Sequence, residues 1–146
     1  MLTLEQANTA ATTALRVGRD RGFQPLTVVV LDAGGHLVAL QREDGSGILR
    51  VEVAVGKAYG CLGVGTSSRA IGKAAVERPH FGVALAVASG GRVVPVPGGV
   101  LMRDQTGTIV GAVGISGDVS DNDELCAIEG VKAAGLTPDP AEPAIP

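Results

Sequence analysis

Two glycine-marked chain reversals, far apart in the sequence, constrain this chain more than any other feature. The first is Val28-Val29-Val30-Leu31-Asp32-Ala33-Gly34-Gly35-His36-Leu37-Val38-Ala39-Leu40. The second starts at Pro97-Gly98-Gly99-Val100-Leu101-Met102 and runs through Asp104-Gln105-Thr106-Gly107 into Ile109-Val110-Gly111-Ala112-Val113-Gly114-Ile115-Ser116-Gly117. Each sets β-branched runs on either side of glycines that a turn can use. They predict an antiparallel sheet whose hairpins are separated and flanked by helices.

The segments around the hairpins read as those helices. Thr3-Leu4-Glu5-Gln6 is a capping box. Leu4, Ala7, Ala11, Ala14 and Leu15 continue it at helical spacing until Gly18 or Gly22. Strands are expected over 26–33 and 36–43, and a second helix opens at Ser46-Gly47. On that helix Gly56 and Gly60 stand four apart, a spacing that lets a neighbouring backbone come close. Thr66, Ser67 and Ser68 offer N-caps for a third helix, which Pro79 ends. Phe81 to Ala88 fits helix and buried strand equally, and Val93-Val94-Pro95-Val96-Pro97 is extended. Ser120-Asp121-Asn122-Asp123 reads as a second capping box, opening a helix that Gly135 closes. The result is an α+β domain over residues 1–137, with a central antiparallel sheet of about five strands flanked by helices. Residues 138–146, with four prolines, form a C-terminal tail, free or lying on a partner subunit.

Composition excludes several function classes. The chain of 146 residues has no Trp, one Tyr and two Phe, too few for base stacking, and a net charge of −3 with scattered Lys and Arg. That argues against nucleic acid as a partner. No apolar run approaches the ~20 residues that a bilayer span needs, so no membrane partner is expected. The N-terminus has no signal-peptide pattern, and Cys61 and Cys126 are too few for a disulfide framework. A cytoplasmic location is expected.

No residue set announces a reaction. Asp32 at a turn start accepts turn N–H bonds, or serves as an acid or base. His36 and His80 are surface histidines beside a turn and a helix end, or else weak candidates for metal, haem or proton transfer. Lys57 is a snorkelling lysine, or a cation for a carboxylate, propionate or phosphate. Pro97-Gly98-Gly99 is a plain turn, or bares N–H groups to a polar ligand. Gly114-Ile115-Ser116-Gly117 lacks the second glycine spacing of a serine-nucleophile elbow, because Asp118 follows Gly117. Asp118 to Glu129 imitates a calcium-loop count, but Asp123 stands where the sharp turn wants glycine. No metal site is assigned.

Taken in order, Val30-Leu31-Asp32-Ala33-Gly34-Gly35-His36-Leu37-Val38-Ala39, Val53-Ala54-Val55-Gly56-Lys57-Ala58, Arg78-Pro79, Val94-Pro95-Val96-Pro97-Gly98-Gly99-Val100 and Val110 to Gly117 with Asp121-Asn122-Asp123-Glu124 carry a likeness. Over residues 2–135 the chain resembles the GlcG/HbpS haem-binding family, which includes the C-terminal domain of PduO-type corrinoid adenosyltransferases. The resemblance implies a profilin-like fold, homo-oligomers, and haem or a corrinoid as cofactor. It departs at the first helix, Thr3 to Gly22, which contains no histidine, whereas in haem-binding relatives an axial histidine can lie there. His36, His80, Tyr59 or Met102 would have to substitute.

Two readings of function follow. In the first, the protein binds haem, a corrinoid or another carboxylate-bearing molecule at an oligomer-bounded pocket where Lys57, Gly98, Gly99 and Ser116 converge, with His80 as a further ligand-binding candidate. In the second, it is a catabolic isomerase, lyase or hydrolase of an organic acid. There Lys57 orients the substrate, and Asp32, His36 or His80 transfers protons.

Overall fold

A computed structural model describes residues 1–146. Its helices are α1 (Leu4–Asp20), α2 (Arg50–Val64), α3 (Ser68–Glu77), α4 (Pro79–Ala88) and α5 (Ser120–Ala133). Its strands are β1 (Thr27–Asp32), β2 (Leu37–Arg42), β3 (Gly99–Arg103), β4 (Ile109–Ser116) and β5 (Thr137–Asp139). All pairings are antiparallel, in the spatial order β2-β1-β4-β3-β5. The two hairpins therefore meet along β1 and β4, with Thr27 opposite Ser116 and Asp32 opposite Gly111.

Strand alternation divides the core into two layers. Val28, Val30, Val100, Met102, Val113 and Ile115 face one cluster, which α1 and α5 complete through Ala7, Ala11, Ala14, Ile128 and Val131. Val29, Leu31, Leu101 and Ala112 face the other, with Ala54, Ala58 and Cys61 of α2. Alanine and glycine predominate at the contacts because the helices lie close to the sheet. A Cβ on Gly114 would collide with the Ala54 carbonyl, and one on Gly130 with the Ala10 carbonyl.

The first capping box forms: Thr3 Oγ1 accepts the Gln6 N–H at 3.1 Å and Gln6 Oε1 accepts the Thr3 N–H at 3.0 Å. Several expectations need correction. Ser46 does not start α2; its hydroxyl bonds Thr27 Oγ1 at 2.7 Å, and the helix begins at Arg50. Residues 81–88 are helical, because Pro79 occupies the first turn of α4, where its missing N–H costs nothing. Ser120 caps nothing. Val119 holds the N-cap position of α5 without a side-chain bond, and Asp123 is drawn elsewhere. The tail is not free: Pro138 lies in β5 opposite Met102, Ile145 packs on the core, and Arg21 donates to the Pro146 carbonyl.

Residues 92–97 form a strap across the outer side of α2 and α3, as the paired glycines foretold. Val94 sits on Gly56 and donates its N–H to the Gly56 carbonyl at 3.2 Å, while Val93 sits on Gly60. The Pro95 carbonyl lies over Gly72 of α3, where a Cβ would stand 2.5 Å from it. No helix is long and apolar enough to cross a membrane.

Candidate functional site

Lys57 leaves α2 and passes the point where β3 has not yet begun. Its ammonium donates to the Ile115 carbonyl at 2.8 Å and to Asp123 Oδ2 at 3.0 Å. Gly98 permits this route, since a Cβ there would stand 2.8 Å from Nζ. The ion pair thus ties α2 in one layer to α5 in the other, across the end of β4. Both side chains are almost fully buried, at 2% and 1% exposure. Burial lowers the Lys57 pKa despite its partner, and it pushes the Asp123 carboxyl up to about 6. The other Asp123 oxygen accepts the Asp118 N–H at 3.0 Å.

Lys57, Gly98 and Gly99 therefore do converge with the end of β4. What they enclose is side chains. Ser116 is buried and accepts a hydrogen bond from Arg50 Nη1 at 3.2 Å. The Gly99 N–H goes to Ser68 Oγ at 2.7 Å, which pins the start of α3 to β3.

The remaining candidates lie elsewhere. Asp32 and His36 occupy the β1–β2 turn, at the opposite end of β1 from Thr27 and Ser116. Asp32 Oδ1 accepts the Gly34 and His36 N–H groups at 2.9 and 3.0 Å, with His36 Nδ1 at 3.3 Å. Those bonds, the His36 N–H foremost, hold its carboxyl below the usual range. A hollow of about 380 Å³ lies beside this turn, lined by Leu2, Asp32, His36, Asp104 and Ile109. His80 is exposed at the start of α4. The structure does not bring Lys57, Asp32 and either histidine together.

A larger cleft, about 560 Å³, opens between α3 and the strap. Arg69, Gly72, Lys73, Val76 and Glu77 form one wall, and Pro95, Val96 and Pro97 the other. Arg69 lines it while reaching inward: Nε donates to Glu124 Oε2 at 2.9 Å and Nη2 to Asp121. The Glu124 bond raises the guanidinium's pKa further. Lys73 is exposed and makes no ion pair. Glu124 is fully buried, and its Oε1 has no hydrogen-bond partner.

Sequence reasoning missed Arg69 and Glu124. The available signal was the acid density of Asp121-Asn122-Asp123-Glu124, more carboxylates than a helix cap uses. Asp123 and Glu124 face inward to meet Lys57 and Arg69.

Of the four proposed axial substitutes, Met102 is buried in the sheet. Tyr59 lies 4.3 Å beneath the Arg92 guanidinium, with Gly35 against its ring. Only His36 and His80 present exposed imidazoles, and neither lines the cleft.

Helices on both faces of a five-stranded antiparallel sheet define an α+β domain with a cleft beside α3 that Arg69, Lys73 and Glu77 line. The chain belongs to the HbpS-like family of haem-degrading proteins, whose model matches residues 2–132. Solved structures share the fold. PduOC in complex with haem is 21% identical over 92% of this chain and 96% of its own, with a TM-score of 0.83. Protein ORFY of Klebsiella pneumoniae is 22% identical over 92% and 90%, with a TM-score of 0.82. A double mutant of Streptomyces reticuli HbpS is 26% identical over 90% and 85%, with a TM-score of 0.77. No functionally curated protein matches the chain.

Proposed function

We propose that the protein binds a small carboxylate-bearing molecule, haem or a corrinoid among them, in the cleft between α3 and the strap. The observation that carries this reading is Lys73, an exposed cation without an ion-pair partner, one helical turn from Arg69 on the wall of a 560 Å³ cleft. Val76 and the two prolines give the apolar surface that small-molecule sites pair with a few placed charges. Family membership and the haem-bound PduOC support haem as the first ligand to test. Its propionates fit Arg69 and Lys73. The cleft itself supplies no axial ligand, and His80, three residues beyond Glu77 on the rim, is the imidazole to examine.

The hollow by Asp32 suits an anion less well, because Asp32 and Asp104 line it without a Lys or Arg, whereas the cleft sets Arg69 and Lys73 against the single carboxylate of Glu77. The catabolic-enzyme reading has less support, because the Lys57 ammonium is buried and already bonded to Ile115 and Asp123. Homo-oligomers draw support from α4, which holds Phe81, Val83, Leu85 and Val87 yet has no buried residue.

Titration with haemin is the test. A Soret shift at micromolar haemin, weakened several-fold by Lys73→Ala and changed in position by His80→Ala, is expected. A wild-type protein with no Soret shift removes haem, and binding indifferent to Lys73→Ala moves the site away from the cleft.

A further inference from the structure

We propose that an anion entering this cleft is bound together with one proton, and that the proton goes to Glu124. The inference rests on the cleft reading above and adds a linkage to it. Arg69 belongs to two environments at once: its side chain is 38% exposed on the cleft wall, while its Nε holds a carboxylate that is 1% exposed. A ligand carboxylate on that wall competes for the same planar guanidinium, which favours two parallel N–H···O bonds. As Arg69 turns to the ligand, Glu124 loses its one ion partner.

Glu124 has nothing in reserve. Its Oε1 already lacks a hydrogen bond. Of the elements around it, α2 brings Lys57, bonded to Asp123, and the neutral Cys61 thiol. Arg103 of β3 pairs with Asp139 of β5, and Arg19 of α1 pairs with Glu43. Glu5, Arg16 and Asp20 of α1 are exposed, and β4 carries no ionisable side chain. The linked cluster already holds three carboxylates, Asp121, Asp123 and Glu124, against two cations, Lys57 and Arg69. A further anion deepens that excess. A buried carboxylate stripped of its partner becomes neutral by taking a proton. The step forms one O–H bond on Glu124 with a proton from solvent, gives up one N–H···O bond to Arg69, and needs no other reactant.

Benzoate serves as the probe, since it stays ionised between pH 6 and 8, and its ring suits Val76 and the prolines. The Gly72 and Val96 amide signals report binding by NMR. In the wild type, affinity is expected to fall by up to tenfold per pH unit over that range, and in Glu124→Gln to stay flat. Calorimetry of the wild type in buffers of different ionisation heat reads the same proton uptake directly, should the variant not fold. Benzoate binding at Gly72 with a flat wild-type profile and no proton uptake overturns the linkage and leaves the cleft standing. An unchanged slope in Glu124→Gln assigns the proton elsewhere and also overturns it. Absence of any Gly72 shift overturns the cleft and the linkage together.

Discussion

Asp123 Oδ2 lies 3.0 Å from Lys57 Nζ, and the pair is the link between α5 on one face of the sheet and α2 on the other. Removing one partner strands the other in a dry site. Lys57→Met is expected to destabilise the fold by about 3–5 kcal/mol, and Lys57→Met with Asp123→Leu to recover most of that loss. Urea denaturation of the three proteins measures it. A single variant as stable as the wild type contradicts the tie.

The Asp123 carboxyl, pushed up to about 6 by burial, holds its proton more tightly in the folded chain than in the unfolded one, where it titrates near 3.8. Its contribution to stability is fully present below 3.8 and is lost as pH rises through 6, amounting to no more than about 3 kcal/mol. The side-chain carboxyl carbon should titrate with an NMR midpoint near 6. A midpoint near 4 would show that Lys57 and the Asp118 N–H fully offset desolvation.

Gly114→Ala forces a methyl against the Ala54 carbonyl and pushes α2 off the sheet. A loss of about 1–3 kcal/mol or more is expected, since backbone cannot yield as a side chain does. Gly63→Ala, in the same helix with nothing within 4 Å, should instead raise stability by roughly 0.5 kcal/mol. Thermal melts of both variants check the contrast.

Burial pushes both thiols, Cys61 and Cys126, up to about 12. Neither forms enough thiolate at pH 8 to attack a disulfide reagent. Ellman's reagent should find no fast-reacting thiol in the native protein and two in denaturant. A rapid native reaction would mean that one of these side chains reaches solvent.

The architecture was legible where a local rule and a packing rule agreed. Thr3 and Gln6 form the predicted cap, β1 and β2 fall within a residue of the expected bounds, and Gly56 and Gly60 receive the strap. Legibility failed where a side chain had two uses. Asp123 fits a helix cap by position, and one of its oxygens does accept a backbone N–H, from Asp118, but the other turns inward to a buried ammonium that no local pattern announces. Phe81 to Ala88 was ambiguous because a helix with no buried residue shows no apolar stripe. β5 was hidden by Pro138, a residue that only an edge strand tolerates. The site was legible in part. Lys57 and the Gly98 bend do meet, but around buried side chains, and the cleft beside α3 is lined instead by Arg69 and Lys73, two ordinary surface-type residues in sequence.

The two margins of the sheet differ in kind. The three-residue β5 has Pro138 at its centre and Pro140 just after it, with few N–H groups to offer, whereas β2 presents a full six-residue margin carrying Leu37 and Leu40. Strand-by-strand polymerisation needs a receptive border at each end of the growing stack. One such molecule could join an aggregate through β2, and its proline side would then terminate the filament instead of extending it.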